Sequence, residues 1–251
     1  MEGMYHKEHS DSLDRDMEYK VFGEHGRICL AFPPQNGRFW DFEDFGMVDT
    51  VMPWIEAGLL QVVCVDSIDT ESWSGTGDEH DRIFQHERWF KYVCEELLPK
   101  LHERNGDVEL AMTCGCSMGA MHAANFLFRR PDLFDATIAL SGVYNADYFF
   151  PDYSDTLVYF NSPIDYLSGM PEGHEYMDMY RQSDIICCVG QGDWEEDLLA
   201  STRRLDAILQ DKGIPAWVDY WGADVSHDWP WWRKQLPYFM GHLLGSPSDP
   251  R

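Results

Sequence analysis

At 251 residues, with 44% hydrophobic and 14% aromatic content, the chain carries enough apolar mass for one sizeable core and is not a disordered segment. Its 44 acidic against 19 basic side chains give a formal charge of −25. Such a surface repels phosphate backbones and anionic lipid, which argues against nucleic acid or a membrane surface as partner, and no apolar run approaches the ~18 residues of a membrane span.

Residues 1–16 read as a polar, loosely held tail with His6, His9, Asp11, Asp14 and Asp16, and without the apolar region of a secretory signal. The seven cysteines are odd in number and mostly lie in apolar, strand-like stretches (Cys29, Cys64, Cys114, Cys187, Cys188). That pattern predicts reduced core thiols in a cytoplasmic protein. Cys114-Gly-Cys116 is too tight for a zinc knuckle and has no matching Cys/His pair elsewhere, so neither a metal nor a cofactor is expected.

Met17–Phe22 and Arg27–Phe32, separated by Gly23-Glu-His-Gly26, predict an antiparallel hairpin. Pro33-Pro-Gln-Asn-Gly-Arg38 cannot continue a strand, because two prolines remove ladder donors, and must be a loop at a strand end. An amphipathic helix is expected over Met47–Ala57, a strand over Leu60–Asp66, a polar loop to Gly77, and a long helix over His80–Glu103. Leu110–Thr113 is a short apolar strand; Gly115-Cys-Ser-Met-Gly119 follows, then a helix rich in Ala, Met, Phe and Leu. Pro131–Phe134 turns into the strand Ala136–Leu140.

Tyr144–Arg181, rich in Tyr, Phe, Asp, Pro and Gly, has weak periodicity and reads as an irregular insertion over the mouth of a site. Regularity returns with the strand Asp184–Val189, then Gly190-Gln-Gly-Asp193, and a helix from Glu195 to Asp211. The strand Ala216–Trp221 and a final helix, Asp228–Leu244, close a domain expected over 17–244, before a polar tail at 245–251. Strands alternating with helices predict an α/β fold, a mostly parallel twisted sheet with helices on both faces.

G-x-S-x-G between a strand and a helix marks a nucleophile elbow, with Ser117 exposed above the sheet edge. Ser117, Asp193 and His227 each follow a predicted strand by a few residues, and catalytic groups of such sheets sit on those loops. A serine hydroxyl needs a base to take its proton, and a neutral imidazole, with a reference pKa of ~6.5, suits that task. His227 is therefore the expected base and Asp193 the acid that orients it, with Glu195, Glu196 and Asp197 as rivals for the acid. The oxyanion needs two backbone donors: the N–H of Met118 and one from the Pro33–Arg38 loop, with Gln35 or Asn36 as candidates.

His122 reads as a packed core histidine, His174 as an exposed one, and Asp228 as a helix cap. Phe39, Trp40 and Phe42 could contact an acyl group; Trp229, Trp231 and Trp232 could line a pocket or pack the last helix.

At Gly115–Ala120, Arg130-Pro-Asp-Leu-Phe134, Leu140-Ser-Gly142, Gly190–Asp193 and His227-Asp-Trp-Pro-Trp-Trp-Arg233 the chain resembles the Putative esterase family of α/β-hydrolases. That group contains S-formylglutathione hydrolases, enterobactin-type and feruloyl esterases and the antigen 85 mycolyltransferases. The resemblance spans about residues 17–244, within a compact bacterial subgroup without a large lid. It implies a serine esterase acting on small or medium acyl esters or thioesters, with Ser117 as nucleophile, Asp193 as acid and His227 as base. The loop Phe32–Gly37 departs from the family by lacking its common His-Gly opening. An acyltransferase using the same triad and a non-catalytic binding protein are the alternatives. The sequence leaves the oligomeric state open, a homo-oligomer included.

Overall fold

The computed structural model describes residues 2–106 and 109–250. Its first three strands are β1 (Met4–Ser10), β2 (Arg15–Phe22) and β3 (Arg27–Phe32). The short helices α1 (Asp41–Asp44) and α2 (Met47–Glu56) lead to β4 (Leu60–Val65), and then α3 (Glu79–Lys91) and α4 (Leu98–Asn105) follow. Next come β5 (Ala111–Cys116), α5 (Met118–Arg129) and β6 (Phe134–Leu140), then α6 (Thr156–Phe160), α7 (Pro163–Gly169) and α8 (Tyr176–Tyr180). The chain ends through β7 (Asp184–Val189), α9 (Glu196–Asp211), β8 (Trp217–Tyr220) and α10 (Trp229–Leu244). Among the described residues no helix is long and apolar enough to cross a membrane.

Among the described residues eight strands form one sheet, in the order β1-β2-β4-β3-β5-β6-β7-β8. Every pairing from β4 onward along that order is parallel, and β1–β2 and β2–β4 are antiparallel. The period of two along each strand decides which helices it serves. Ile28, Leu30 and Phe32 of β3 enter one core with Phe90, Leu97, Phe126 and Leu205. Cys29 and Ala31 enter the other, with Val48, Trp54, Leu236 and Phe239. The sheet is thus covered on both faces, which is why its strands read as continuous apolar runs rather than alternating ones.

Four expectations need correction. The N-terminal antiparallel hairpin exists, but it is β1–β2 rather than 17–22 with 27–32. β2 and β3 do not pair; they flank β4 on opposite sides, β2 antiparallel and β3 parallel. The stretch expected as a tail is therefore mostly an edge strand. Its polar side chains find cross-strand and helix partners: Tyr5 donates to Glu18 at 2.5 Å, and Glu8 pairs with Arg104 at 2.6 Å and Lys100 at 3.5 Å. The single helix expected over 80–103 is interrupted by a π-helical turn at Tyr92–Leu97 before α4. Pro99, in the first turn of α4, has no N–H for the carbonyl four residues back and would clash with it, and widening the preceding turn accommodates both. The 144–181 stretch is more regular than expected, since it contains α6, α7 and α8. Its first half packs Ala146, Phe150 and Val158, with the preceding Val143, against Trp73, Met118 and Met121 beside the elbow.

One buried group makes stability depend on pH. His86 Nε2 donates to Asn161 Oδ1 over 3.1 Å, and the residue is 1% exposed. Burial, reinforced by His122 and Arg129, holds it well below the ordinary histidine pKa, so it is neutral in the folded chain. Below about pH 6.5 the unfolded chain protonates it and the folded chain does not, so folding loses up to ~1.4 kcal/mol per pH unit of fall. The expected result is that Tm between pH 7.5 and 5 drops less steeply in His86→Gln than in the wild type. Equal slopes in thermal melts would contradict this origin.

Candidate active site

β5 delivers the chain to the centre of the sheet and α5 takes it away at once, leaving Ser117 alone in the turn. Its backbone is forced to φ 58° and ψ −124°, a region that costs a non-glycine residue on the order of 1–3 kcal/mol. The turn closes because its flanking positions have no side chain. A Cβ on Gly115 would sit 2.1 Å from Gly119 O, and one on Gly119 would sit 2.1 Å from Phe32 O. The serine N–H is fixed by Leu140 O at 2.9 Å, across the β5–β6 edge.

Two further loops meet this turn from the carboxyl ends of β7 and β8. Gly190 and Gly192 let the first pack on the second, since a Cβ at either would collide with Val225 O at 2.2 and 2.7 Å. Gly192 N–H donates to Val225 O at 2.8 Å, and His227 N–H to Asp193 O at 3.0 Å. The imidazole is thereby carried over the elbow, with Nε2 2.9 Å from Ser117 Oγ. Trp232 stands edge-on to the ring, at 4.9 Å between centroids and an interplanar angle of 90°.

The carboxylate behind the imidazole belongs to Glu195, not Asp193. Glu195 Oε2 lies 3.6 Å from His227 Nδ1 and its side chain is 1% exposed, whereas the Asp193 side chain is exposed and only its carbonyl touches His227. The chain reverses at Trp194, whose φ of 69° turns residue 195 inward while the indole stays 81% exposed. Glu195 also precedes the first turn of α9, where the helix dipole favours negative charge. Its other oxygen, Oε1, accepts from Ser141 Oγ at 2.7 Å, and Trp232 Nε1 donates to that same hydroxyl at 3.3 Å. Ser141, itself at φ 55° just past β6, is a contributor that sequence reasoning passed over; its signal was Leu140-Ser-Gly142 at a strand end.

Met118, buried directly after the serine, opens α5, so its N–H is one of the unpaired donors of a helix start. In the Pro33–Arg38 loop the N–H groups are largely spoken for. Pro33 and Pro34 have none, Asn36 donates to Asp69 Oδ2 at 3.3 Å, Gly37 to Pro34 O at 2.8 Å, and Arg38 to Asp41 Oδ2 at 3.1 Å. Gln35 is the remaining donor of the turn, and it is exposed.

The other residues singled out from sequence lie outside this constellation. Glu196 and Asp197 are exposed on α9. His122 is buried and bonded to Asp69 Oδ1 at 3.0 Å. His174 is half-buried and lines a separate cavity of about 560 Å³ with Phe128, Tyr159 and Tyr166. Phe39 packs on Tyr5, and Phe42 enters the sheet core. Trp40 lies under the Arg38 guanidinium at 4.3 Å. Asp228 caps α10 by accepting from Trp229 N at 2.7 Å.

Fold and site together define an α/β-hydrolase of the carboxylic ester hydrolase class. Solved structures of like fold include a ferulic acid esterase (18% identity, TM-score 0.74, 94% of this chain and 95% of that one). An S-formylglutathione hydrolase from Agrobacterium tumefaciens matches at 15% identity and TM-score 0.74, over 96% and 94% of the two chains. Mycobacterium tuberculosis MPT51 matches at 14% and 0.69, over 98% and 99%. At such identities the likeness is one of fold. Comparison with curated protein sequences gives no match. The family model described as Putative esterase matches residues 43–243, and the chain belongs to that family.

Proposed function

We propose that this chain is a serine carboxylesterase in which Ser117 is the nucleophile, His227 the base and Glu195 the acid, acting on small or medium acyl esters or thioesters. The carrying observation is the 2.9 Å contact between Ser117 Oγ and His227 Nε2 at a strained elbow, with a buried carboxylate behind the ring. In the first half-reaction Ser117 Oγ attacks the carbonyl carbon and its proton passes to Nε2. The tetrahedral oxyanion is held by the N–H groups of Met118 and Gln35. Collapse expels the alcohol or thiol, which takes the proton from Nε2 and leaves an acyl-enzyme. Water, deprotonated by the same imidazole, repeats the sequence, releasing the acid and restoring Ser117.

Glu195 supports the imidazolium stage. Neither Glu195 Oε2 nor His227 Nδ1 has a hydrogen-bond partner among the described residues, and each faces the other at 3.6 Å. Charge on the ring turns that approach into a charge-assisted bond, which is tighter and about twice as strong as a neutral one. All seven cysteines are buried and free, which supports work in the reducing cytoplasm. The test is labelling of the purified protein by a fluorophosphonate, followed by peptide mapping. One equivalent on Ser117, with loss of p-nitrophenyl ester hydrolysis in parallel, is expected; an unlabelled Ser117 would overturn the reading.

A further inference from the structure

A buried ionisable pair lies outside the mechanism. Asp69 and His122 are 2% and 1% exposed and meet at 3.0 Å, Oδ1 to Nε2. A buried carboxylate is costly unless every oxygen is matched, and an apolar pair would pack the same space without that cost. The second oxygen of Asp69 shows what the pair does: Oδ2 accepts the backbone N–H of Asn36 at 3.3 Å. One carboxylate therefore ties α5, the helix that starts at the nucleophile, to the Pro33–Arg38 loop, and the carboxylate fixes the imidazole proton on Nε2. Asn36 sits at φ 60°, a backbone the clamp holds, and its side-chain amide meets Ser74 Oγ, which also lies 2.9 Å from Asp69 O.

We propose that Asp69, held by His122, is a positioning residue that sets the Gln35 N–H opposite the Met118 N–H to complete the oxyanion site. This rests on the proposed ester hydrolysis at Ser117. The two donors belong to different elements, and their usefulness depends on where the developing oxyanion sits rather than on the ground-state carbonyl. Gly119 against Phe32 O sets the approach of loop and helix, and Gly37 N–H on Pro34 O at 2.8 Å holds the peptide that carries the Gln35 N–H within the turn. By taking the next N–H along, Asp69 fixes where that turn stands relative to α5 and so to Met118. Asn36 thus drops out as the second donor because its N–H is the handle of the clamp.

The test compares Asp69→Ala and Asp69→Asn with the wild type on p-nitrophenyl acetate, with active sites counted by fluorophosphonate stoichiometry. In Asp69→Ala, kcat per labelled site is expected to fall about 10–100-fold with KM within about three-fold, short of the full loss of an oxyanion donor. Asp69→Asn, whose amide oxygen can still accept from Asn36, should recover most of the rate. Affinity for a trifluoromethyl ketone, which places an oxyanion in the site, should fall in step with kcat, and affinity for the carboxylate product should not. If Asp69→Ala does not fold, Asp69→Ser, too short to reach both donors, carries the same comparison. A lower Tm and fewer labelled sites with unchanged kcat per site would overturn the proposal and leave the triad standing. A wild type that neither turns over nor labels at Ser117 would remove the triad reading itself.

Discussion

Replacing Ser117 with alanine is expected to cut kcat for p-nitrophenyl ester hydrolysis by about 10⁵-fold or more, the scale on which removal of such a nucleophile acts. Only Oγ is lost. The elbow's geometry is set by backbone contacts, namely Ser117 N–H on Leu140 O and the Gly115 and Gly119 approaches, and none of them uses the side chain. The strain at φ 58° is the same for alanine as for serine, so the thermal midpoint should stay within a few degrees. The variant should still bind substrate, because the donors for the oxyanion are main-chain groups. Circular dichroism melts alongside steady-state kinetics separate the two effects. Turnover near the wild-type rate in a folded Ser117→Ala chain would move the chemistry elsewhere.

The parts of this site that sequence reveals are those encoded within a few residues. Gly115-Cys-Ser-Met-Gly119 declares the elbow because strand, turn and helix are contiguous, and each glycine answers a clash the structure shows. Gly190-Gln-Gly192 is legible for the same reason, although its partner, the Val225 carbonyl, is not. Gly23-Glu-His-Gly26 reads as a hairpin because it is a good turn between two apolar strands, and local chemistry says nothing of which edge each will join. Their shared neighbour is β4, which arrives nearly forty residues after β2 and is buried along its whole length. β1 escaped notice because an edge strand exposes its side chains, and its pairing is carried by main-chain register with β2. The Asp69–His122 clamp was equally hidden: its two ends are 53 residues apart, and nothing near either one announces the other.

Glu195→Gln is expected to lower kcat/KM by about 10³–10⁴-fold, whereas Asp193→Asn should change it by no more than about two-fold. Four acidic residues stand within five positions, so residue type alone cannot choose among them; backbone direction does. At Asp193 the chain is committed to His227 through its carbonyl, and the side chain turns to solvent. The left-handed Trp194 then swings residue 195 toward the core, where Ser141 Oγ takes one oxygen and His227 Nδ1 faces the other. Glutamine keeps the length and the Ser141 contact but replaces the charge. Its amide can present N–H to Nδ1, favouring the tautomer that carries the proton on Nε2, where it cannot accept from Ser117. Both substitutions conserve volume, so matched melting curves would confine the difference to chemistry. The opposite pattern, with Asp193→Asn crippled and Glu195→Gln active, would place the acid where residue spacing first suggested and refute the geometry argued above.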